Sequence, residues 1–329
     1  MSNRMCGAVA VLAAACLAIA LGGLSPAMAG LGQPTPGELG LQLPATDNMG
    51  QIFDLFHLIN TIITVIVLFV LVLMVYVMYR FNEKRNPTPS RTSHNTMLEV
   101  AWTILPILIL VGISIPSFHL LFDQYAFPKP DLTIKATGNA WFWEHEYVDD
   151  GFTITSNMVN DEDIIRAKIG DEAYDQQFGS LQGAELHNAL YKASLPLWNE
   201  EKKLRRLTVD QEVAVPVNKV VDVLVTSNDV IHSWTIPSFG VKMQAVPGRV
   251  SAVWFKATKV GSYHGQCAVL CGKLHSAMPI TIRVVDQPVY DAWIAAIKAK
   301  DKKKAQQILN EDTASKVDFG SVAQAQERQ

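Results

Sequence analysis

The residues best suited to chemistry in this chain are concentrated between Cys267 and Met278. Two thiols, an imidazole and a thioether follow one another there as Cys267, Cys271, His275 and Met278. All four are metal-ligand types, and the pattern C-x3-C-x3-H-x2-M places them in one short stretch. The sequence therefore predicts a metal or redox centre in this loop.

Three uses of the cysteine pair compete. A disulfide explains two thiols in an oxidising compartment and needs neither His275 nor Met278. Zinc would take both thiols with His275 and His232 as a closed tetrahedral set, leaving the thioether unused. Copper uses every donor, and two thiolates can bridge two copper ions that share one electron. Each ion then needs its own imidazole, and we expect His232 to supply the second.

Composition limits what the chain as a whole can do. Its 28 basic and 31 acidic residues leave a formal net charge of −3, which argues against a general nucleic-acid binder. Hydrophobic residues make up 49% and charged residues 18%, a balance typical of membrane segments joined to a soluble part. The length of 329 residues favours about two domains.

The N-terminus, residues 1–29, has the pattern of a secretory signal peptide. Arg4 precedes an apolar run over residues 8–24, and residues 27–29 form an A-x-A processing site. Removal of this segment would leave the two loop cysteines as the only thiols. Lipidation at Cys16 is the alternative.

Two membrane-spanning helices are expected within residues 51–124, after an extended periplasmic arm over residues 30–50. The apolar runs Phe56–Tyr79 and Val100–Phe122 are each long enough to cross a bilayer. The loop between them is basic, which places it in the cytoplasm. We therefore expect the inner membrane of a bacterium, with both termini and the metal loop in the periplasm.

Residues 125–286 are expected to form an all-β sandwich or barrel. Eight short runs rich in β-branched and aromatic residues lie between Leu132 and Val285, but none is assigned to residues 237–249 or 259–278. Residues 161–206 interrupt them as a polar, partly helical insertion. Residues 287–329 are expected to be a helix followed by a disordered polar tail.

Several motifs together resemble subunit II of the haem–copper cytochrome c oxidases of the bacterial type. They are the metal loop and the stretches His232-Ser233-Trp234, Val246-Pro247-Gly248-Arg249, Trp102-Thr103-Ile104-Leu105-Pro106 and Trp141-Phe142-Trp143. The resemblance covers roughly residues 50–150 and 207–295. It implies a two-helix transmembrane hairpin followed by a cupredoxin-like β-barrel with the dinuclear copper A centre.

The resemblance also implies a role for each ligand. Cys267 and Cys271 would bridge the two ions. The first ion would be completed by His232 and Met278, and the second by His275 and the backbone carbonyl of Val269.

Other residues gain roles in the same way. Trp141 matches the tryptophan at which cytochrome c delivers its electron, and Glu99 matches a carboxylate at the mouth of a proton pathway. Four acids resemble a docking patch for cytochrome c: Glu146, Asp149, Asp150 and Asp229. The implied partners are the catalytic haem–copper subunit I, subunit III, cytochrome c and membrane lipid.

Two positions depart from the family pattern. Val269 stands where a glutamate is usual, and its hydrocarbon side chain cannot bind magnesium, which prefers oxygen ligands. Gln244 likewise replaces a common acid. We therefore expect the neighbouring magnesium site to be altered or absent.

The function implied is electron transfer from cytochrome c to haem in a partner subunit, which reduces oxygen to water. The chain has no C-x-x-C-H motif, which argues against a fused c-type haem. The alternatives are a quinol-oxidase-type subunit II, a membrane-anchored copper- or zinc-binding protein without an oxidase role, and a nitrous oxide reductase. The intact ligands argue against the quinol type. The chain lacks room for the large catalytic domain of a nitrous oxide reductase.

Overall fold

The computed structural model describes residues 31–316 except residues 36, 89 and 202, so the predicted signal peptide lies outside the described residues. The chain divides into a helical unit, Asp47–Lys129, and a second unit that joins the preceding arm to everything from Pro130 onward.

The helical unit consists of α1, Asp47–Arg80, and α2, Thr96–Tyr125. Both are long and apolar enough to cross a membrane. They extend beyond the predicted apolar runs because polar ends continue each helix. Asn95 caps α2 by accepting a hydrogen bond from the backbone of Leu98. At the opposite end, the Gln51 side chain donates to Asp123.

The second unit is built on ten strands. Their bounds are β1 Leu132–Asn139, β2 Phe142–Tyr147, β3 Phe152–Ser156, β4 Val213–Pro216, β5 Val220–Ser227, β6 His232–Ile236, β7 Val241–Ala245, β8 Ser251–Lys256, β9 Gly261–Gln266 and β10 Pro279–Val285.

These strands form three sheets around one core, in the orders β3-β2-β1-β5-β8, β4-β10-β9 and β6-β7. Buried and half-buried residues alternate along β2 and β5, as expected for strands with one face in a core. Trp143, Trp234 and Trp293 are fully buried in this core. Two apolar helices followed by a β domain confirm the predicted fold class.

Two of the ten strands were absent from the eight predicted runs. β7 alternates buried and exposed positions over only five residues, with Lys242 and Gln244 on its exposed side. β9 contains two glycines and a histidine, so its composition lacks the usual strand signal. Both strands form through pairing, β7 with β6 and β9 with β10.

The arm before α1 lies against the β domain. Gly32 accepts a hydrogen bond from the backbone of His264, and Ala45 donates to the carbonyl of Ser238. Gly32 has a φ of +77°, and a side chain there would collide with the carbonyl oxygen of Ser262. Glycine is thus required where the arm crosses β9.

Three helices form the insertion: α3, Asp161–Ile169; α4, Asp171–Phe178; and α5, Gly183–Glu200. They enclose a core of their own, formed by Ile164, Ile165, Tyr174, Phe178 and Trp198. The chain leaves and re-enters the β domain at paired segments, because Val159 donates to Thr208 and Asp210 donates to Asn157.

The C-terminal part contains α6, Gln287–Lys298, and α7, Lys302–Lys316. α6 buries Tyr290 and Trp293 against the β domain. α7 is a second helix that the sequence did not predict, and it buries Ala305 and Leu309 in the same core.

Candidate metal centre

The metal loop connects β9 to β10 at one end of the β domain. Its two ends are held together, because the Cys267 amide donates to the carbonyl of Met278 over 3.1 Å and the next residues pair as Gln266 with Pro279. The Ala268 amide donates to the carbonyl of Ser233 on β6 over 3.2 Å. These contacts bring the loop beside His232, the first residue of β6.

Four of the predicted side-chain donors, the two cysteines, His275 and His232, meet at this point. The Sγ atoms of Cys267 and Cys271 are 3.7 Å apart. His232 Nδ1 lies 3.8 Å from Cys267 Sγ, and His275 Nδ1 lies 3.5 Å from Cys271 Sγ. The ligand atoms of His232, Cys267 and Cys271 all lie within 4.8 Å of one another.

These distances fit donors that share metal ions. At metal–sulfur and metal–nitrogen bonds of roughly 2.3 and 2.1 Å, tetrahedral geometry separates two sulfurs by about 3.8 Å and a sulfur from a nitrogen by about 3.6 Å. The observed separations agree with both values. Each sulfur also has a different imidazole beside it, His232 at Cys267 and His275 at Cys271.

Two further predicted donors lie in the same loop. The carbonyl oxygen of Val269 lies 3.3 Å from Cys267 Sγ. Met278 is buried to 1% exposure at the start of β10, so its thioether is held away from water. Soft sulfur donors beside imidazoles suit copper, and they would also satisfy zinc apart from the thioether.

Both loop cysteines are buried free thiols. Burial, with the adjacent Cys267 thiol as a second cause, raises the pKa of Cys271 to about 12. Two thiolates side by side would repel each other, so a bound cation is needed to compensate their charge. The pair is therefore suited to metal binding.

The His232 imidazole is enclosed on several sides. It is fully buried, and the ring of Trp143 lies edge-on at a centroid distance of 5.9 Å. A Cβ at Gly138 would lie 2.7 Å from its Cδ2 atom. Gly138 on β1 is thus a site residue that the metal-ligand motif did not reveal, and the neighbouring Trp141-Phe142-Trp143 stretch was its only sequence signal.

Asp229 contacts the other nitrogen of the same ring. Its Oδ1 atom lies 2.8 Å from His232 Nε2, and its Oδ2 atom accepts from the Ala140 amide over 2.6 Å. Partial burial alone would raise the pKa of the Asp229 carboxyl, but hydrogen bonds from His232, Val230 and Ala140 lower it overall. The docking role predicted for Asp229 overlooked these contacts.

Trp141 directly contacts the loop. Its indole N–H donates to the carbonyl of Cys271 over 3.2 Å, and the ring is half-buried. A Cβ at Gly272 would lie 3.2 Å from the ring, and the φ of +119° at that residue also favours glycine. The indole therefore links solvent to a residue of the candidate centre.

The other three predicted docking acids lie away from Trp141. Glu146 is near the far end of β2, and Asp149 and Asp150 follow in the turn to β3. A strand of six residues spans about 20 Å, so the turn lies roughly that far from Trp141. Glu146 pairs with Lys135 at 3.7 Å, and Asp150 pairs with Lys298 at 2.7 Å.

Glu99 lies in the first turn of α2, where its backbone carbonyl accepts a hydrogen bond from Thr103. Gln244 lies exposed on β7 opposite Ser233. Neither side chain joins the cluster of donors in the part of the chain that the structure describes.

Comparisons with known proteins agree with this geometry. The family model for the cytochrome c oxidase subunit II transmembrane domain matches residues 34–120, and the model for the periplasmic domain matches residues 189–285. Cytochrome c oxidase subunit 2 of Cereibacter sphaeroides is 40% identical over 264 residues, covering 80% of this chain and 82% of that protein. The Arabidopsis thaliana protein of the same name is 36% identical over 267 residues, covering 79% and 89%.

A solved structure is also similar. The periplasmic domain of subunit II of cytochrome oxidase from Bradyrhizobium japonicum is 39% identical, covers 53% of this chain and 99% of its own, and has a TM-score of 0.40. The two apolar helices and the matched transmembrane and periplasmic models indicate a two-pass membrane protein with a periplasmic domain. From these matches and the relatives above, the chain belongs to the cytochrome c oxidase subunit II family.

Proposed function

We propose that this chain accepts electrons from cytochrome c at Trp141 and passes them to haem in a catalytic partner subunit, which reduces oxygen to water. The observation that carries this proposal is the hydrogen bond from the Trp141 indole to the carbonyl of Cys271. It connects a half-exposed aromatic ring to a cysteine of the donor cluster. A metal-storage protein would have no need of that connection.

The cofactor in this proposal is a pair of copper ions, the copper A centre. Cys267 and Cys271 would bridge them. One ion would be completed by His232 and Met278, and the other by His275 and the Val269 carbonyl. When bound, the pair supplies a carrier for one electron.

The protein residues contribute rigidity and exclusion of water. Burial of His232, Met278 and both cysteines limits how far the ligands can move when the charge of the centre changes. A centre that changes shape little on reduction exchanges electrons with little reorganisation, as pre-organised sites do. Trp141 serves as the contact through which an external donor reaches this buried cluster.

Docking of cytochrome c is proposed to use the surface around Trp141 together with Glu146, Asp149 and Asp150. A globular partner roughly 30 Å across would span the distance along β2 that separates these acids from the indole. Apolar side chains are exposed beside the ligands in sequence: Val230, Ile231, Leu270 and Leu274. Acids together with exposed apolar side chains next to the ligands suit a brief encounter with a basic partner.

Further parts of the proposal concern the assembled oxidase. The chain would be the electron-accepting subunit of cytochrome c oxidase, beside the catalytic subunit I and subunit III, in the bacterial inner membrane. Both termini would face the periplasm. Glu99 would lie at the mouth of a proton pathway, and replacement by Gln should slow proton uptake without changing the copper spectrum.

Magnesium is proposed to be absent or bound differently at the neighbouring site. Val269 offers only its carbonyl, and its apolar side chain supplies no oxygen ligand. Metal analysis of the purified oxidase should find less than stoichiometric magnesium attributable to this subunit. Stoichiometric magnesium that is lost on replacement of Gln244 would contradict this.

Electron paramagnetic resonance of the complete, detergent-purified chain loaded with copper tests the central proposal. A hyperfine pattern from one electron spread equally over two copper nuclei is expected, and Cys271→Ser should abolish it. A signal from a single copper nucleus, or binding of zinc alone, would refute the proposal and favour a metal-binding protein without an oxidase role.

The donor route is tested separately in the assembled oxidase. Trp141→Leu should slow oxidation of cytochrome c while leaving the copper spectrum of the wild type. Trp198→Phe, in the core of the insertion, is the control variant and should leave the rate unchanged. A wild-type rate in Trp141→Leu would exclude Trp141 as the electron acceptor.

A further inference from the structure

The carboxylate of Asp229 binds two parts of the proposed electron route at once. Oδ1 is 2.8 Å from His232 Nε2, and Oδ2 accepts from the Ala140 amide, which directly precedes Trp141. Oδ1 also accepts from the Val230 amide over 2.6 Å. Three N–H groups thus converge on one side chain.

We propose that Asp229 is a positioning residue that orients His232 toward the metal and holds the Trp141 segment against the metal loop. This inference rests on the proposed function. It replaces the docking role that the resemblance implied, because both carboxylate oxygens are already occupied by groups of the protein.

The contact with His232 selects one form of the imidazole. A carboxylate beside Nε2 favours a hydrogen on that nitrogen, which leaves the lone pair of Nδ1 free for a metal. Nδ1 is the nitrogen that faces Cys267 Sγ. His232 is fully buried in the folded chain, so the partner of its Nε2 is the Asp229 carboxylate rather than water.

The contact with Ala140 places Trp141. β1 ends at Asn139, so Ala140 lies outside the sheet and has no strand partner. The neighbouring residue Asn228 strengthens the same junction, since its amide donates to the Gly138 carbonyl and its side chain donates to Asn139. The segment around Asp229 therefore braces the chain that leads to the indole.

Glu146 provides the contrast with a surface acid. Its side chain is 46% exposed and pairs with Lys135 at 3.7 Å. Asp229 accepts hydrogen bonds from buried and backbone groups and is 34% exposed. The two acids were predicted to share one role, but their surroundings support different ones.

The variant Asp229→Asn tests the proposal in the full chain. Asparagine has the same shape but only one acceptor oxygen, so its NH₂ group must face at least one of the three N–H donors. We expect copper affinity to fall by roughly 10-fold or more, with a changed hyperfine pattern and midpoint potential. In the metal-free chain, ¹⁵N histidine spectra should show that His232 loses its preference for hydrogen on Nε2.

Glu146→Gln is the matched control. It removes one acidic charge and should alter only the salt dependence of cytochrome c oxidation, with copper affinity and the His232 spectrum unchanged. If Asp229→Asn also changes only the salt dependence, Asp229 is a docking acid and the proposal is wrong.

A second variant guards against a loss of fold. Asp229→Glu keeps the charge but displaces the carboxylate, so a positioning role predicts a changed midpoint potential and a docking role predicts the wild-type value. If the wild-type chain itself binds no copper pair, the proposed function fails. The ¹⁵N spectra of the metal-free chain still decide whether Asp229 sets the form of His232.

Discussion

Strand β2 connects two regions of the β domain that are held together in different ways. Near its N-terminal end, the Trp141 indole donates to the Cys271 carbonyl, and Asp229 accepts from the Ala140 amide and contacts His232. At its C-terminal end, the Tyr147 ring stacks on Phe152 with a centroid distance of 4.6 Å and contacts Trp293 with a centroid distance of 5.6 Å. One end is a polar framework for ligands, and the other is an aromatic core.

The C-terminal end of β2 therefore mainly supports the stability of the fold, and the N-terminal end mainly supports the proposed metal site. Aromatic packing at the C-terminal end fixes α6 to the barrel and contributes burial free energy, whichever metal is bound. The polar contacts at the N-terminal end contribute less to folding, but they decide where ligand atoms lie. Substitutions at the two ends should therefore affect different measurements.

The largest effect on stability is expected for Trp293→Ala. This side chain is 1% exposed, and its loss should lower the free energy of unfolding by about 3–5 kcal/mol. Urea unfolding of the detergent-solubilised chain measures this change, with Leu39→Ala, at an 86% exposed position, as the control. The copper spectrum of Trp293→Ala should stay that of the wild type. A changed spectrum would contradict the prediction that the two ends of β2 act independently.

His145, in the middle of β2, should make stability depend on pH. Burial lowers its pKa to about 3, so the folded state keeps the ring neutral while the unfolded chain takes up a proton below about 6.5. This stability is fully present above pH 6.5 and is lost as pH falls, at about 1.4 kcal/mol per unit.

Between pH 6.5 and 4.5 the loss should be about 2 kcal/mol from this residue. In His145→Gln, the new side chain can still accept the hydrogen bond from the Trp234 indole. The variant should lose the part of the pH dependence of the unfolding free energy that His145 causes. Buried His264, with a pKa lowered by burial to about 4, supplies a further share that remains. Unfolding curves across this range test the prediction, and an unchanged slope in His145→Gln would contradict it.

A smaller effect on stability, but a clear one on the metal, is expected for Gly138→Ala. The added methyl group would meet the His232 ring and displace it, at a cost of about 1–3 kcal/mol from overpacking. Copper titration should show weaker binding. Gly40→Ala, where a Cβ meets nothing within 4 Å, is the control and should bind copper normally.

The smallest effect is expected for Lys298→Ala, which removes an ion pair near the C-terminal end of β2. Its ion pair with Asp150 has side chains 50% and 24% exposed, so its loss should cost less than about 1 kcal/mol and should matter less at high salt. If Lys298→Ala weakens copper binding, the two ends of β2 are coupled after all.

The sequence predicted those features that depend on local pattern. Long apolar runs indicated α1 and α2, and the spacing of Cys267, Cys271 and His275 indicated the metal loop. His232 was predicted because a second imidazole was required, and the structure brings it 3.8 Å from Cys267 Sγ.

Features that depend on long-range pairing were missed. β9 has little strand propensity of its own and forms because β10 pairs with it. Asp229 was interpreted as a surface acid, since nothing local reveals that the His232 ring and the Ala140 amide would both reach it. Asp149 and Asp150 lie at the other end of β2 from Trp141. This separation depends on the direction in which β2 runs, which residue types alone do not reveal.

The paired neck of the insertion has a consequence for how the family can vary. Asn157 and Asp210 are joined by backbone and side-chain hydrogen bonds, so the chain returns to the point where it left the β domain. The three helices beyond this neck bury their own apolar residues. Changes of length within the three helices, Asp161–Glu200, should therefore leave β3 and β4 in place, whereas Leu207 is tied to β10 by the hydrogen bond from Thr281.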